Sequence, residues 1–352
     1  MDTRGGTSQS SIERGMGSAS AVKRRARLRG AVLVVMAAGA CCSASAAPFA
    51  YVANHRGNSV SVVDLGSSSV ATTVSVGIAP FGIANAPGIS RVYASNHGSD
   101  SVSVINSAIN TVVVTISVGA RPAGIAVTPN GARVYVANFG ANSISVIDTA
   151  TNAVSATIPV GANPNGVAVS PNSAQVLVTN SRDGTVSLIN TTTNLVSATI
   201  PVQTGPVNVA FNPVQPRAYV ANTGSASVSV IDTNTGSVLT TVRVGAYPHG
   251  LAVASGGGSI WVSNAFDNNL MRIETAGNTV AQTVALSAYP AGIGLSAAGN
   301  LLFVARMNAG NIAVVNPATG LINSILAVGA GPLGLAGFDV VVSDVIFQNG
   351  FE

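Results

Sequence analysis

Residues 122–161, PAGIAVTPNGARVYVANFGANSISVIDTATNAVSATIPVG, decide the architecture, because the chain keeps repeating them. The asparagine that closes the YVAN segment recurs every 42 residues, at Asn54, Asn96, Asn138, Asn180, Asn222 and Asn264, and Arg306 takes the seventh place. A proline keeps the same interval, at Pro80, Pro122, Pro164, Pro206, Pro248, Pro290 and Pro332. Self-similarity at a fixed period marks a stack of structural units, each too small to bury its own apolar face.

Within the unit, residues 124–128 are a short apolar run followed by the turn residues Pro129-Asn130-Gly131; this is strand a. Residues 133–137 (RVYVA) are apolar on both alternating faces, as a strand between two neighbouring sheets must be; this is strand b. Strand c is SISVID at 143–148, and strand d is 154–160, which carries Pro159. Pro201 takes the same place in the fourth copy, and a proline that cannot donate to a ladder puts strand d on an outer edge. No sustained 3.6-residue periodicity is present, so helices have no room. Four short strands per 42-residue unit predict the blade of an all-β propeller.

The first strands, over residues 50–63, read as b and c, whereas the last copy of strand a, 332–336, has nothing after it to complete a blade. The C-terminal strand a is therefore expected to join the N-terminal strands b, c and d, closing a ring of seven four-stranded antiparallel blades with no open edge.

The residues Tyr135-Val136-Ala137-Asn138, Ser145-Val146-Ile147-Asp148-Thr149, Ala156-Thr157-Ile158-Pro159-Val160-Gly161 and Pro164-Asn165-Gly166-Val167-Ala168-Val169 resemble the YVTN-type β-propeller repeat family of exported proteins, over about residues 48–337. The resemblance implies a seven-bladed propeller outside the cytoplasm and implies no single activity. Copies six (Trp261-Val262-Ser263-Asn264) and seven (Phe303-Val304-Ala305-Arg306) depart furthest, and Asn208 replaces a glycine in copy four.

The formal charge of +4 is concentrated at one end. Residues 1–46 hold seven of the 16 basic residues and two of the 12 acids, leaving nine arginines against ten acids and no lysine in the body. Binding a phosphate backbone needs a basic stripe, so no nucleic-acid partner is expected. Lys23 to Arg29 reads as the basic region of an export signal, 31–40 as its apolar segment and Ala44-Ser45-Ala46 as its cleavage site. We expect 1–46 to be a removed signal peptide, 47–340 the propeller and 341–352 a tail. Cleavage would remove Cys41 and Cys42, leaving a body without thiols. The alternatives are lipidation at Ala38-Gly39-Ala40-Cys41, an uncleaved anchor, and a start at Met16. No mature segment reads as a membrane span, since apolar runs break well before about 18 residues. The expected location is the periplasm or cell surface. The tail ends DVIFQNGFE, which resembles a short C-terminal sorting tag of exported proteins.

In a four-stranded meander the b–c and d–a turns share one face, and the unusual side chains collect there. His55, Arg56, His97, Arg182 and Arg306 follow or replace the repeated asparagine, while Arg121, Tyr247, His249 and Tyr289 flank the repeated proline. Phe81, Phe139 and Phe266 add rings, and Asp100, Asp183 and Asp267 add acids. Variable residues on a rigid scaffold are where binding groups gather, so this face is the candidate site for a small ligand or an envelope partner. The competing reading is a set of ordinary exposed turns. The histidines lack companion ligands at metal-site spacing, so neither metal nor cofactor is expected. HExxH, CxxC, P-loop and GxSxG motifs are missing, and the leading expectation is a non-enzymatic, monomeric scaffold. The alternatives are a lyase or lactonase using His97 or His249, or a self-associating surface-layer component. The repeated asparagine is expected to be structural, through an Asx-type turn or a left-handed residue.

Overall fold

The computed structural model describes residues 49–296 and 298–336 of the 352-residue chain. The expected signal peptide and tail lie outside the described residues, as do 47, 48, 297 and 337–340 of the expected propeller. Seven four-stranded antiparallel sheets form the ring, each ordered a, b, c, d from one edge to the other. Blade 1 combines Pro332–Ala336 with Phe49–Asn54, Ser59–Asp64 and Ser69–Ser75, and Val52 faces Leu335 across the closing pair. Blades 2 to 7 follow over 80–117, 122–159, 164–201, 206–243, 248–285 and 290–327. In blade 3 the strands are Pro122–Val127, Arg133–Asn138, Ser143–Asp148 and Ala153–Pro159. Strand a starts two residues earlier than its apolar run suggests, because Pro122 itself faces Asn138 before a bulge. Two single 3-10 turns, Pro87–Ile89 and Thr223–Ser225, are the helical pieces among the described residues. No helix there is long and apolar enough to cross a membrane.

Burial follows the blade geometry. Strands b and c of blade 3 are almost wholly buried, whereas outer strand d buries mainly Ile158. The apolar side chains do not pool in one core. They form seven clusters, each between two consecutive blades: Tyr135, Ile144, Val146 and Ile158 of blade 3, for example, pack on Val176, Val178 and Ile189 of blade 4. Each blade is thus stabilised by its neighbours, and closure gives blades 1 and 7 their missing partners through Ala50, Val52, Phe303 and Ile312.

The repeated asparagine is structural, by a device other than the one expected. Asn138 is fully buried, and its amide nitrogen donates to Ser143 Oγ at 3.1 Å and Ser145 Oγ at 3.0 Å on strand c. Asn54, Asn96 and Asn222 make the same pair of bonds to two serines, and Asn180 to Thr185 and Ser187. The amide therefore bolts strand b to strand c, and the S-x-S pattern of strand c is its receptor. A glycine approaches the same amide from the strand d exit. A Cβ on Gly119 would sit 2.6 Å from Asn138 Cγ, so Gly119 leaves no room for a side chain, whereas Gln203 takes the equivalent place beside Asn222. Copy seven changes both partners together. Ser287 replaces the glycine, and Arg306 replaces the asparagine, donating from Nε to Ser287 O at 3.0 Å and from its terminal nitrogens to Ser287 Oγ and Asn311 Oδ1.

Candidate binding face at the channel mouth

The seven strands a surround a central channel, kept narrow by the glycine two places after each proline. A Cβ on Gly124 would overlap the Asn165 carbonyl oxygen of the next blade. Asn208 breaks this series, pairing with Ala221 two residues after Pro206, as Gly334 of blade 1 pairs with Ala53, whereas the other blades resume pairing three residues after the proline. The channel encloses about 210 Å³. Its lining is mixed: Asn165, Asn208 and His249 of blades 4, 5 and 6 stand beside Val167, Val207 and Leu251 of the same blades, and Phe81, Ile83, Ile293 and Leu333 come from blades 2, 7 and 1. The Asn208 carbonyl oxygen of the side chain is engaged by the Val209 amide.

At the mouth, each b–c turn is hydrogen-bonded to the d–a turn of its blade or the one completing it, for example Phe139 N to Arg121 O and Ala265 N to Tyr247 O. The residue before the repeated proline is left-handed in every copy: Ala79, Arg121, Asn163, Gly205, Tyr247, Tyr289 and Gly331 have φ between 51° and 65°. This conformation aims the side chain from the turn at the rim. Glycine adopts it freely and asparagine tolerates it, but arginine and tyrosine hold it against a steric cost of about 1–2 kcal/mol. The three acids of the face serve these turns. Asp100 accepts from Arg121 N at 2.7 Å, Asp183 from Ala162 N at 2.6 Å and Asp267 from Ala246 N at 2.8 Å.

Two groups of side chains gather on the rim. On blades 1 to 3, the His55 and His97 rings lie 6.5 Å apart, and Phe81 sits 6.1 Å from His55 and 5.7 Å from His97. Both histidines hydrogen-bond through Nδ1 to a proline carbonyl, Pro80 and Pro122, at 3.2 Å. Arg121 Nε donates to His97 Nε2 at 3.2 Å, and its guanidinium lies 5.4 Å from the Phe139 centroid. Burial holds the His97 pKa below its usual value, and the Arg121 and His55 charges act in the same direction. A neutral His97 with Nδ1 protonated is therefore the form that accepts from Arg121. On blades 6 and 7, Tyr247 stacks on Phe266 at 4.3 Å and lies 6.1 Å from Tyr289. Phe266 remains 62% exposed, so this trio is a surface platform rather than core. Burial beside the Tyr247 hydroxyl pushes the Tyr289 pKa up to about 12, keeping its phenol protonated.

The remaining residues singled out by sequence are placed differently. His249 lines the channel below the rim, its Nδ1 without a partner, and burial pushes its pKa down to about 4. Arg56 and Arg182 are exposed turn residues of blades 1 and 4, and Arg306 is buried against Ser287. Among the described residues no three His, Cys, Asp or Glu side chains converge as metal ligands would. Sequence reasoning missed Asn165 as a lining residue, although reading down the column after the repeated proline (Phe81, Ala123, Asn165, Val207, His249, Ala291, Leu333) finds it.

The family model described as "Lactonase, 7-bladed beta-propeller" matches residues 190–331. Hydrazine synthase of Kuenenia stuttgartiensis is similar in structure, with TM-score 0.68 and 22% identity over 73% of this chain and 89% of that one. A protein of unknown function from Desulfotomaculum acetoxidans DSM 771 gives TM-score 0.71 and 17% identity, over 82% and 98%. At these identities the likeness is one of fold. No curated protein matches the chain.

Proposed function

We propose that this chain is an exported, monomeric, non-enzymatic propeller of the periplasm or cell surface, which binds a small ligand or an envelope partner at the channel mouth. The YVTN-type repeats and the N-terminal signal-like segment motivate the location. One observation carries the binding role: Arg121, Tyr247 and Tyr289 occupy left-handed turn positions that Gly205 and Gly331 fill without strain. Left-handed residues occur in turns of both faces, but the arginine and the two tyrosines among them all lie at this mouth, and bulky residues held under strain on a rigid ring are the pattern of a site rather than of a scaffold alone. A thermal-shift screen of the chain against sugars, organic acids, amines and envelope extract tests this, because a ligand that binds only the folded state raises its melting temperature. Ligands of the mouth lose their shift in at least one of the Arg121→Gln, Tyr247→Gly and Tyr289→Gly proteins; shifts that survive all three substitutions sink the reading.

The matched lactonase model and the neutral channel residue His249 favour a second reading, a lactonase-like enzyme. Against it, the three acids of this face are already spent on backbone amides. Hydrolysis of a lactone panel that disappears in His249→Gln would replace the binding reading with the enzymatic one.

A further inference from the structure

Resting on the reading of the mouth as a binding site, we propose that Arg121 is its carboxylate anchor and that the ligand is a small aryl monocarboxylate. An exposed arginine is ordinarily free to sample many rotamers, and the Arg121 side chain is held at two points on a backbone that is itself tied down. Its backbone amide is held by Asp100, its Nε by His97 Nε2, and its guanidinium rests over the Phe139 ring. His97 is fixed in turn through Nδ1 on the Pro122 carbonyl, which leaves its Nε2 lone pair for the arginine. Among the described residues, the two terminal amino groups of Arg121 have no hydrogen bond or ion pair. A planar guanidinium whose rotamer is already set, with its paired amino groups unused, suits bidentate capture of a carboxylate, and ordering it beforehand removes part of the entropic cost of binding.

The surroundings choose the rest of the ligand. Phe81 touches the ring of His97 and also lines the channel, so apolar surface leads from the anchor into the cavity. Its volume, about 210 Å³, suits a single-ring body. The six equivalent turn positions carry Ala79, Asn163, Gly205, Tyr247, Tyr289 and Gly331, so this column of the ring offers one cation and hence one carboxylate site. Arg56 and Arg182 share the face but show neither the histidine bond nor the ring stacking that hold Arg121.

Benzoate and benzamide have the same shape and differ in charge, which makes them the probes. Titration of the full chain near pH 7.5, followed by calorimetry, is expected to give at least about tenfold tighter binding of benzoate. Arg121→Gln and Arg121→Lys should each remove that preference and leave benzamide binding unchanged, because a lysine lacks the planar fork. His97→Phe, which frees the guanidinium, should weaken benzoate by a smaller factor. Melting curves of the variants establish that each is folded. Equal binding of the two probes, unaltered benzoate affinity in Arg121→Gln, or no benzoate binding at all overturns the proposal. If some other ligand of the screen then still depends on Tyr247, the mouth remains a binding site and only its assigned chemistry falls.

Discussion

Two columns of the repeat end at the same face, 17 residues apart within each unit, and they have opposite characters. The asparagine column (Asn54 to Asn264) is uniform, whereas the column before the proline runs Ala79, Arg121, Asn163, Gly205, Tyr247, Tyr289, Gly331. The first is uniform because each amide is buried between two blades and must satisfy strand c. The second varies because its backbone is held by the turn and the side chain projects at the rim, where packing makes no demand. Uniformity here reports construction, and variation reports the place where a ligand can be selected.

The sharpest way to break the comparison is to attack the uniform column. Asn138→Leu removes two hydrogen bonds and leaves the hydroxyl of Ser145 buried and unpaired. We expect a loss of about 3–5 kcal/mol in urea unfolding, the sum of two lost bonds and the desolvated groups they leave. A loss below about 1 kcal/mol, within the range of an ordinary surface change, would show that the bolt between strands b and c is ornamental.

His249 belongs to neither column and couples the channel to pH. Its folded pKa, about 4, lies below the ordinary value of 6.5, so the unfolded chain binds the proton first. The neutral side chain therefore contributes stability that is full above about pH 6.5 and is lost as pH falls toward about 4, by up to about 3 kcal/mol. Water in the open channel reduces that figure. His249→Leu should flatten the urea midpoint over this window, and an unchanged acid slope would place the protonation elsewhere.

How much of this was legible follows from the same contrast. The period, the edge strand and the closing of the ring were readable, because 42-residue spacing and Pro159 state them directly. What the asparagine does was not, since its receptors lie five and seven residues on and its amide geometry appears only when strand c folds back. The acids at Asp100, Asp183 and Asp267 looked like chemistry and turned out to hold turns, because a backbone amide leaves no mark in sequence. Arg306 read as a departure by itself, and the structure sets a second one against it, Ser287 in place of the glycine. Their contact makes them one, and a double-mutant cycle tests it: Arg306→Asn alone should cost about 1–2 kcal/mol more than the same change combined with Ser287→Gly. Additive effects would mean that the two residues drifted separately.

The smallest expected effect on stability is at the variable column, and it is the most informative about function. Tyr247→Gly releases the left-handed strain of a bulky residue at φ 58° and gives up the stacked contact with Phe266. The two terms are each about 1 kcal/mol and opposed, and glycine also adds freedom to the unfolded chain, so the net change should stay within about 1 kcal/mol. Tyr289→Gly should behave alike. A residue kept under strain that stability does not require is kept for another purpose. If instead either substitution costs more than about 2 kcal/mol, a size that marks buried packing, the trio is a clamp between blades 6 and 7, and the variable column is construction after all.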